Sequence, residues 1–194
     1  RLLKNVKIET QNKKRKYLKV LDKLELTDGR RKFLIEPCIN SLQVEFQLSY
    51  NNKIIGNQTN NIDFGKDNLK DVYSSRTFCL FEDIEKIKKM GLAKGGSLEN
   101  AVVVDKEKVL NKEGLRNEKE FVNHKILDLA GDLILSGHRI LAKITCLQGG
   151  HELTNQFLIK LFNNKTTFDV IELDDILISK KTDTNFSIKQ AVNA

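Results

Sequence analysis

Three histidines, His124, His138 and His151, are the only imidazoles in the 194-residue chain. His124 and Asp128 stand four residues apart in the stretch HKILDLAGD. On a helix, that spacing sets both side chains above the same turn. It suits two ligands of a zinc-like ion, and it suits equally a His–Asp pair that binds nothing. Most catalytic zinc sites use three protein ligands, so a third would have to come from elsewhere. Asp132 lies four residues further on, as an outer carboxylate or the partner of another histidine. His151 follows Gly149 and Gly150 and opens a helical pattern. Glycines there allow close approach to a ligand, and a helix start offers free N–H groups to an anion. If Asp132 reaches His151, the imidazole is oriented and held basic, an arrangement suited to acid–base work. His138, in SGHR, reads as a capping or packing residue.

The elements that must position these groups can be read from periodicity. NEKEFVNHKILDLAGDLILSG carries the longest helical pattern, with Gly137 as its C-cap. HRILAKITCLQGG reads as a strand, and HELTNQFLIKLFNN as a second helix. SLQVEFQLSY alternates, with Leu42, Val44, Phe46 and Leu48 facing one way, as a half-buried antiparallel strand. KKRKYLKVLDKLELTDG reads as solvent-edged strand or hairpin with a turn at Asp28–Gly29, and RKFLIEP as a short strand. NNKIIGNQTNN reads as loop. RTFCLFEDIEKIKKMG runs from an extended start into a helix stopped by Gly91, and AVVVD is a β-branched strand. TTFDVIELDDI is a tail with room for one short strand. The fold class expected is α+β: a two-layer domain, a mostly antiparallel sheet with two main helices on one face.

Composition narrows the classes. Hydrophobic residues make up 40% and charged residues 30%, which suits one good-sized domain. No run reaches the roughly 18 apolar residues of a membrane span. Cys38, Cys79 and Cys146 are odd in number and widely spaced, so neither a disulfide framework nor a CxxC knuckle is expected, and a reducing, cytoplasmic setting is. The net charge of +7 permits anionic partners without choosing among them. The basic runs NKKRK (12–16) and GRRK (29–32) lack aromatic interleaving beyond Tyr17 and Phe33, so a solvated strand face is favoured over nucleic-acid binding. The chain opens on Arg1 and its one Met is Met90, which leads us to expect a longer gene product upstream.

From Arg76 to Asn155 the motifs become dense: RTF, GLAKGGSLENAVV, LNKEGLR, HKILD through GD, and GGHELTN. Together they resemble the second half of the UDP-3-O-acyl-N-acetylglucosamine deacetylases, zinc enzymes of lipid A biosynthesis in Gram-negative bacteria. The resemblance implies half of a two-domain sandwich. Residues 1–12 would end the first domain's last helix and link to a second, catalytic domain at 13–194, with an acyl-passage insert at about 77–104. It implies Zn2+ as cofactor, with His124 and Asp128 as two of three ligands. The third, a His, and a catalytic Glu beside it would belong to the missing N-terminal domain.

The same resemblance gives His151 the role of stabilising and protonating the intermediate, with Asp132 orienting it. Thr77 would hold the oxyanion. Lys125, Phe78, Gly96 and Ser97 would contact the substrate, a UDP-linked acylated amino sugar met without any membrane span, at most by peripheral encounter with lipids. Two departures stand out: Gln148 where the family has Lys, implying weaker anchoring of the substrate's diphosphate or sugar, and Cys79 where Gly is common. The isolated chain is expected to be inactive. The rival reading is a catalytically dead domain that holds substrate or partner without turnover.

Overall fold

A computed structural model describes residues 13–91 and 93–173. The expected end of a preceding helix at residues 1–12 lies outside them. The strands are β1 (Arg15–Val20), β2 (Leu24–Asp28), β3 (Arg31–Pro37), β4 (Leu42–Ser49), β5 (Asn57–Asp63), β6 (Thr77–Leu80), β7 (Ala101–Asp105), β8 (Lys108–Val109), β9 (Arg139–Leu147) and β10 (Phe168–Leu173). The helices are α1 (Lys70–Ser74), α2 (Ile84–Lys89), α3 (Glu120–Leu133) and α4 (His151–Asn163).

Seven strands form the main sheet, and β6, β7 and β8 form a separate three-stranded sheet. Nine-residue β9 organises the main sheet. Its first residues run parallel to β1, and its remainder lies between antiparallel β3 and parallel β4. The sheet is mostly antiparallel, as expected, and its two parallel pairings are both made by β9. Side-chain alternation fixes which face is buried but not the direction of the neighbour.

Alternation does place the core. Leu18, Val20, Phe33, Ile35, Val44, Phe46 and Ile144 are buried on the sheet face that α3 and α4 cover. From the helices come Phe121, Ile126 and Leu129 of α3 and Leu153, Phe157 and Leu161 of α4. Phe33 and Phe157 stack with ring centroids 4.1 Å apart, tying β3 to α4. The two-layer α/β architecture with its main helices on one face is as expected. Gly29, at φ +58°, makes the two-residue turn between β2 and β3. Gly137, at φ +76°, closes the 3-10 turn that follows α3.

One segment read as loop is a strand. β5, NQTNNID, pairs with β4 along its whole length. It carries almost no apolar signal because its inward amides are satisfied by hydrogen bonds to α3. Asn60 Nδ2 donates to Asn123 Oδ1 (2.7 Å), and Gln58 Oε1 accepts from the Val122 amide (3.3 Å). The basic run at 29–32 is neutralised locally: Arg31 meets Asp28 and Glu152, and Lys32 meets Glu25. No helix among the described residues is long and apolar enough to cross a membrane. The three cysteines are free.

Candidate metal and catalytic site

α3 buries Phe121, Val122, Ile126, Leu129 and Leu133 against the sheet, which turns His124, Asp128 and Asp132 toward the start of α4. His124 Nε2 and Asp128 Oδ1 lie 3.4 Å apart. That is too long for a good hydrogen bond. It is about the separation, roughly 3.4 Å, of two donors each about 2.1 Å from a tetrahedral zinc ion. The pair thus fits two places in such a shell, in donor type and in spacing. Among the described residues no group of three His, Cys, Asp or Glu side chains is gathered that could hold a metal ion.

Burial pushes the His124 imidazole below its ordinary pKa, against the opposing pull of Asp128. The ring is therefore poised in the neutral form, the one that ligates metals. Its Nδ1 is buried and closes no hydrogen bond of ordinary geometry. The Ser75 backbone, like Asp128, pulls the other way without overcoming burial.

His151 begins α4, and its Nδ1 lies 2.9 and 2.8 Å from the two carboxylate oxygens of Asp132. A carboxylate accepts, so Nδ1 carries the proton and Nε2 is left with its lone pair. That Nε2 lies 4.0 Å from Asp128 Oδ2, so the two His–Asp pairs form one cluster. The His151 side chain is 70% exposed, open to a bound molecule. Lys125 Nζ is 3.4 Å from Asp128 Oδ2 and adds a positive charge at the rim.

Phe78 of β6 stands edge-on to His124, with centroids 6.3 Å apart, and to Phe121 and Tyr50 at 5.0 and 5.7 Å. Thr77, next to it, is exposed. Gly96 and Ser97 lie in the exposed turns before β7, where Ser97 N bonds to Asn100 Oδ1 (2.9 Å). His138 sits in the turn after α3, where its backbone pairs with Ser136 Oγ, away from the cluster.

Sequence reasoning missed what holds β6 beside α3. Arg76 and Glu120 are both buried, with Glu120 wholly so. Glu120 accepts from Arg76 N (3.0 Å), Nε (2.8 Å) and Nη2 (3.1 Å) and from Arg116 N (2.7 Å). The guanidinium also reaches Glu113 and the Gly114 carbonyl. Burial alone would raise the Glu120 pKa. The bonds from Arg76 and Arg116 outweigh it, and the carboxyl lies below its usual range. A Glu at a helix start ordinarily reads as a dipole partner, and nothing local points to an arginine 44 residues earlier.

These features define a two-layer α/β domain with a His–Asp helix face abutting a second His–Asp pair. The family model for LpxC, UDP-3-O-acyl N-acetylglycosamine deacetylase, matches residues 1–163, and the chain belongs to that family. Curated relatives include UDP-3-O-acyl-N-acetylglucosamine deacetylases of Haemophilus ducreyi (34% identical over 177 residues) and Pseudomonas entomophila (36% over 177 residues), each match covering 90% of this chain and 58% of the relative. The Campylobacter fetus protein of that name is 36% identical over 162 residues, covering 83% of this chain and 55% of its own. The chain thus spans somewhat over half the length of these relatives.

Proposed function

We propose that this chain contributes two zinc ligands and an acid–base pair to a deacetylase of UDP-3-O-acyl-N-acetylglucosamine in lipid A biosynthesis, a reaction set in the cytoplasm. The observation that carries the proposal is the His151–Asp132 pair seated against the His124–Asp128 face in a member of this family.

In this reading His124 Nε2 and Asp128 hold the ion, and the third ligand comes from the part of the family's length this chain does not span. When bound, zinc supplies Lewis acidity and lowers the pKa of a water molecule. A catalytic Glu from that same remaining part takes a proton from the attacking water. Asp132 keeps the proton of His151 on Nδ1, so Nε2 can gain and release a proton at the reacting centre. Protonated His151 and the Thr77 hydroxyl face the oxyanion as water adds to the acetamide carbonyl. The C–N bond then breaks, a proton passes from His151 to the leaving amine, and acetate departs. Lys125 draws the anionic part of the substrate, Phe78 stacks on it, and Gly96 and Ser97 line its path. Residues 77–104, with Phe81, Met90 and Leu98 exposed, offer apolar surface to the acyl chain.

The test is acetate release from UDP-3-O-acyl-N-acetylglucosamine by the protein completed to the family's length, with zinc. Turnover lost on His151→Ala supports the reading. Substrate binding without turnover by the unaltered protein supports the rival domain that only holds substrate.

A further inference from the structure

We propose that Gln148 is a positioning residue for His151, acting through a backbone clasp on the end of β4. The inference rests on the catalytic reading of His151 above. β9 ends at Leu147, and the Gln148 amide still donates to the Gln47 carbonyl (2.9 Å), extending the β4–β9 pairing by one residue. There the chain turns sharply, because Gln148 adopts φ +50°, a conformation side-chain-bearing residues rarely hold unaided. Its side chain folds back onto Ser49. Gln148 Oε1 accepts from the Ser49 amide (2.7 Å), and Gln148 Nε2 donates to the Ser49 carbonyl. The carboxamide thus acts as a peptide group, pairing both the amide and the carbonyl of Ser49, the last residue of β4.

Three residues later comes His151, and nothing between has freedom to drift. Gly149 is packed so closely that any Cβ would collide with Cys146 Sγ and press on the Phe46 ring. Gly150 is extended, and its carbonyl accepts from the Thr154 amide (3.0 Å) and hydroxyl (3.1 Å), starting α4. His151 then meets Asp132. The clasp fixes the entry to this run, and the glycine contact and helix start fix its exit.

A lysine at this position could not do the same. An ammonium has donors and no acceptor, so it could bond the Ser49 carbonyl but would leave the Ser49 amide unpaired. Gln148 is therefore committed to the backbone and is not a weakened anchor for the substrate's phosphates. The two roles separate in kinetics: an anchor acts on KM, and a positioning residue acts on kcat.

The experiment compares Gln148→Ala, Gln148→Glu and Gln148→Lys with the unaltered protein. Amide hydrogen exchange at Ser49 and Thr154 is measured on the present chain. The clasp predicts about tenfold faster exchange at Ser49 in the Ala and Lys variants and a smaller change in Glu, which keeps the chain length but loses the donor. It also predicts faster exchange at Thr154. In the completed, zinc-loaded protein, kcat falls about 10- to 100-fold in Ala and Lys, with KM within about twofold. Unchanged exchange at Ser49 overturns the clasp. Faster exchange with unchanged kcat, or a tighter KM in Lys with kcat intact, overturns positioning. If the unaltered protein does not turn over, the functional reading fails alone, and Thr154 decides: faster exchange sustains the inference and unchanged exchange overturns it.

Discussion

Replacing Arg76 by Met tests whether the buried ion pair holds β6 to α3. Of the four hydrogen bonds reaching the Glu120 carboxylate, the substitution removes the two from the guanidinium and leaves those from Arg76 N and Arg116 N. Bonds to a charged group contribute about 1.5–3 kcal/mol each, which sets the gross loss at roughly 3–6 kcal/mol. Relief of the arginine's own desolvation offsets part of this, so the net cost is about 3–5 kcal/mol. Against a total stability of about 5–15 kcal/mol, that is a large share. The double variant Arg76→Met/Glu120→Leu removes the stranded charge and recovers most of the loss. The assay is equilibrium urea unfolding followed by circular dichroism, with the midpoint falling and the slope unchanged. A single-variant cost below about 1 kcal/mol would refute the reasoning.

The pair also sets a pH dependence. The folded Glu120 carboxyl lies below its unfolded value of about 4.3, so the unfolded chain binds the proton more readily. Its stabilisation is fully present above about pH 4.3 and is lost as pH falls through that value and on through the folded pKa. Glu120→Gln therefore flattens the acid limb of the stability profile, and an unchanged limb counts against the assignment. Gly149→Ala forces a methyl onto Cys146 Sγ and costs about 1–3 kcal/mol in the same unfolding assay, with recovery when Cys146 is also changed to Ala. Phe157→Ala opens a cavity against Phe33 and costs about 3–5 kcal/mol by urea unfolding. Asp132→Asn in the completed protein lowers kcat by about 10²–10⁴-fold while zinc content is retained; loss of the metal instead would make Asp132 a ligand.

The periods that bury side chains were legible. β4 alternates because one face packs on α3, and α3 repeats because one face packs on the sheet. Gly137 and Gly91 mark stops because both hold positive φ. β5 was not legible, since amide-to-amide bonds with α3 replace apolar burial along its inner face. The i, i+4 spacing of His124 and Asp128 was local and therefore readable. The Asp132–His151 contact could be stated only conditionally, because the two stand 19 positions apart with a strand between them. Arg76–Glu120 and the Gln148 clasp on Ser49 left no local trace, being pairings across 44 and 99 residues. The substitution at Gln148 was visible, but its consequence depended on a backbone turn that periodicity does not encode.

On the proposed reading, His124 and Asp128 are two ligands of one zinc ion. The most direct test of that assignment is zinc content, by mass spectrometry of the purified protein completed to the family's length, beside its His124→Ala and Asp128→Ala variants. About one bound zinc per chain is expected in the unaltered protein, with most of it lost in either variant. Zinc retained at the same stoichiometry in both variants would contradict the assignment.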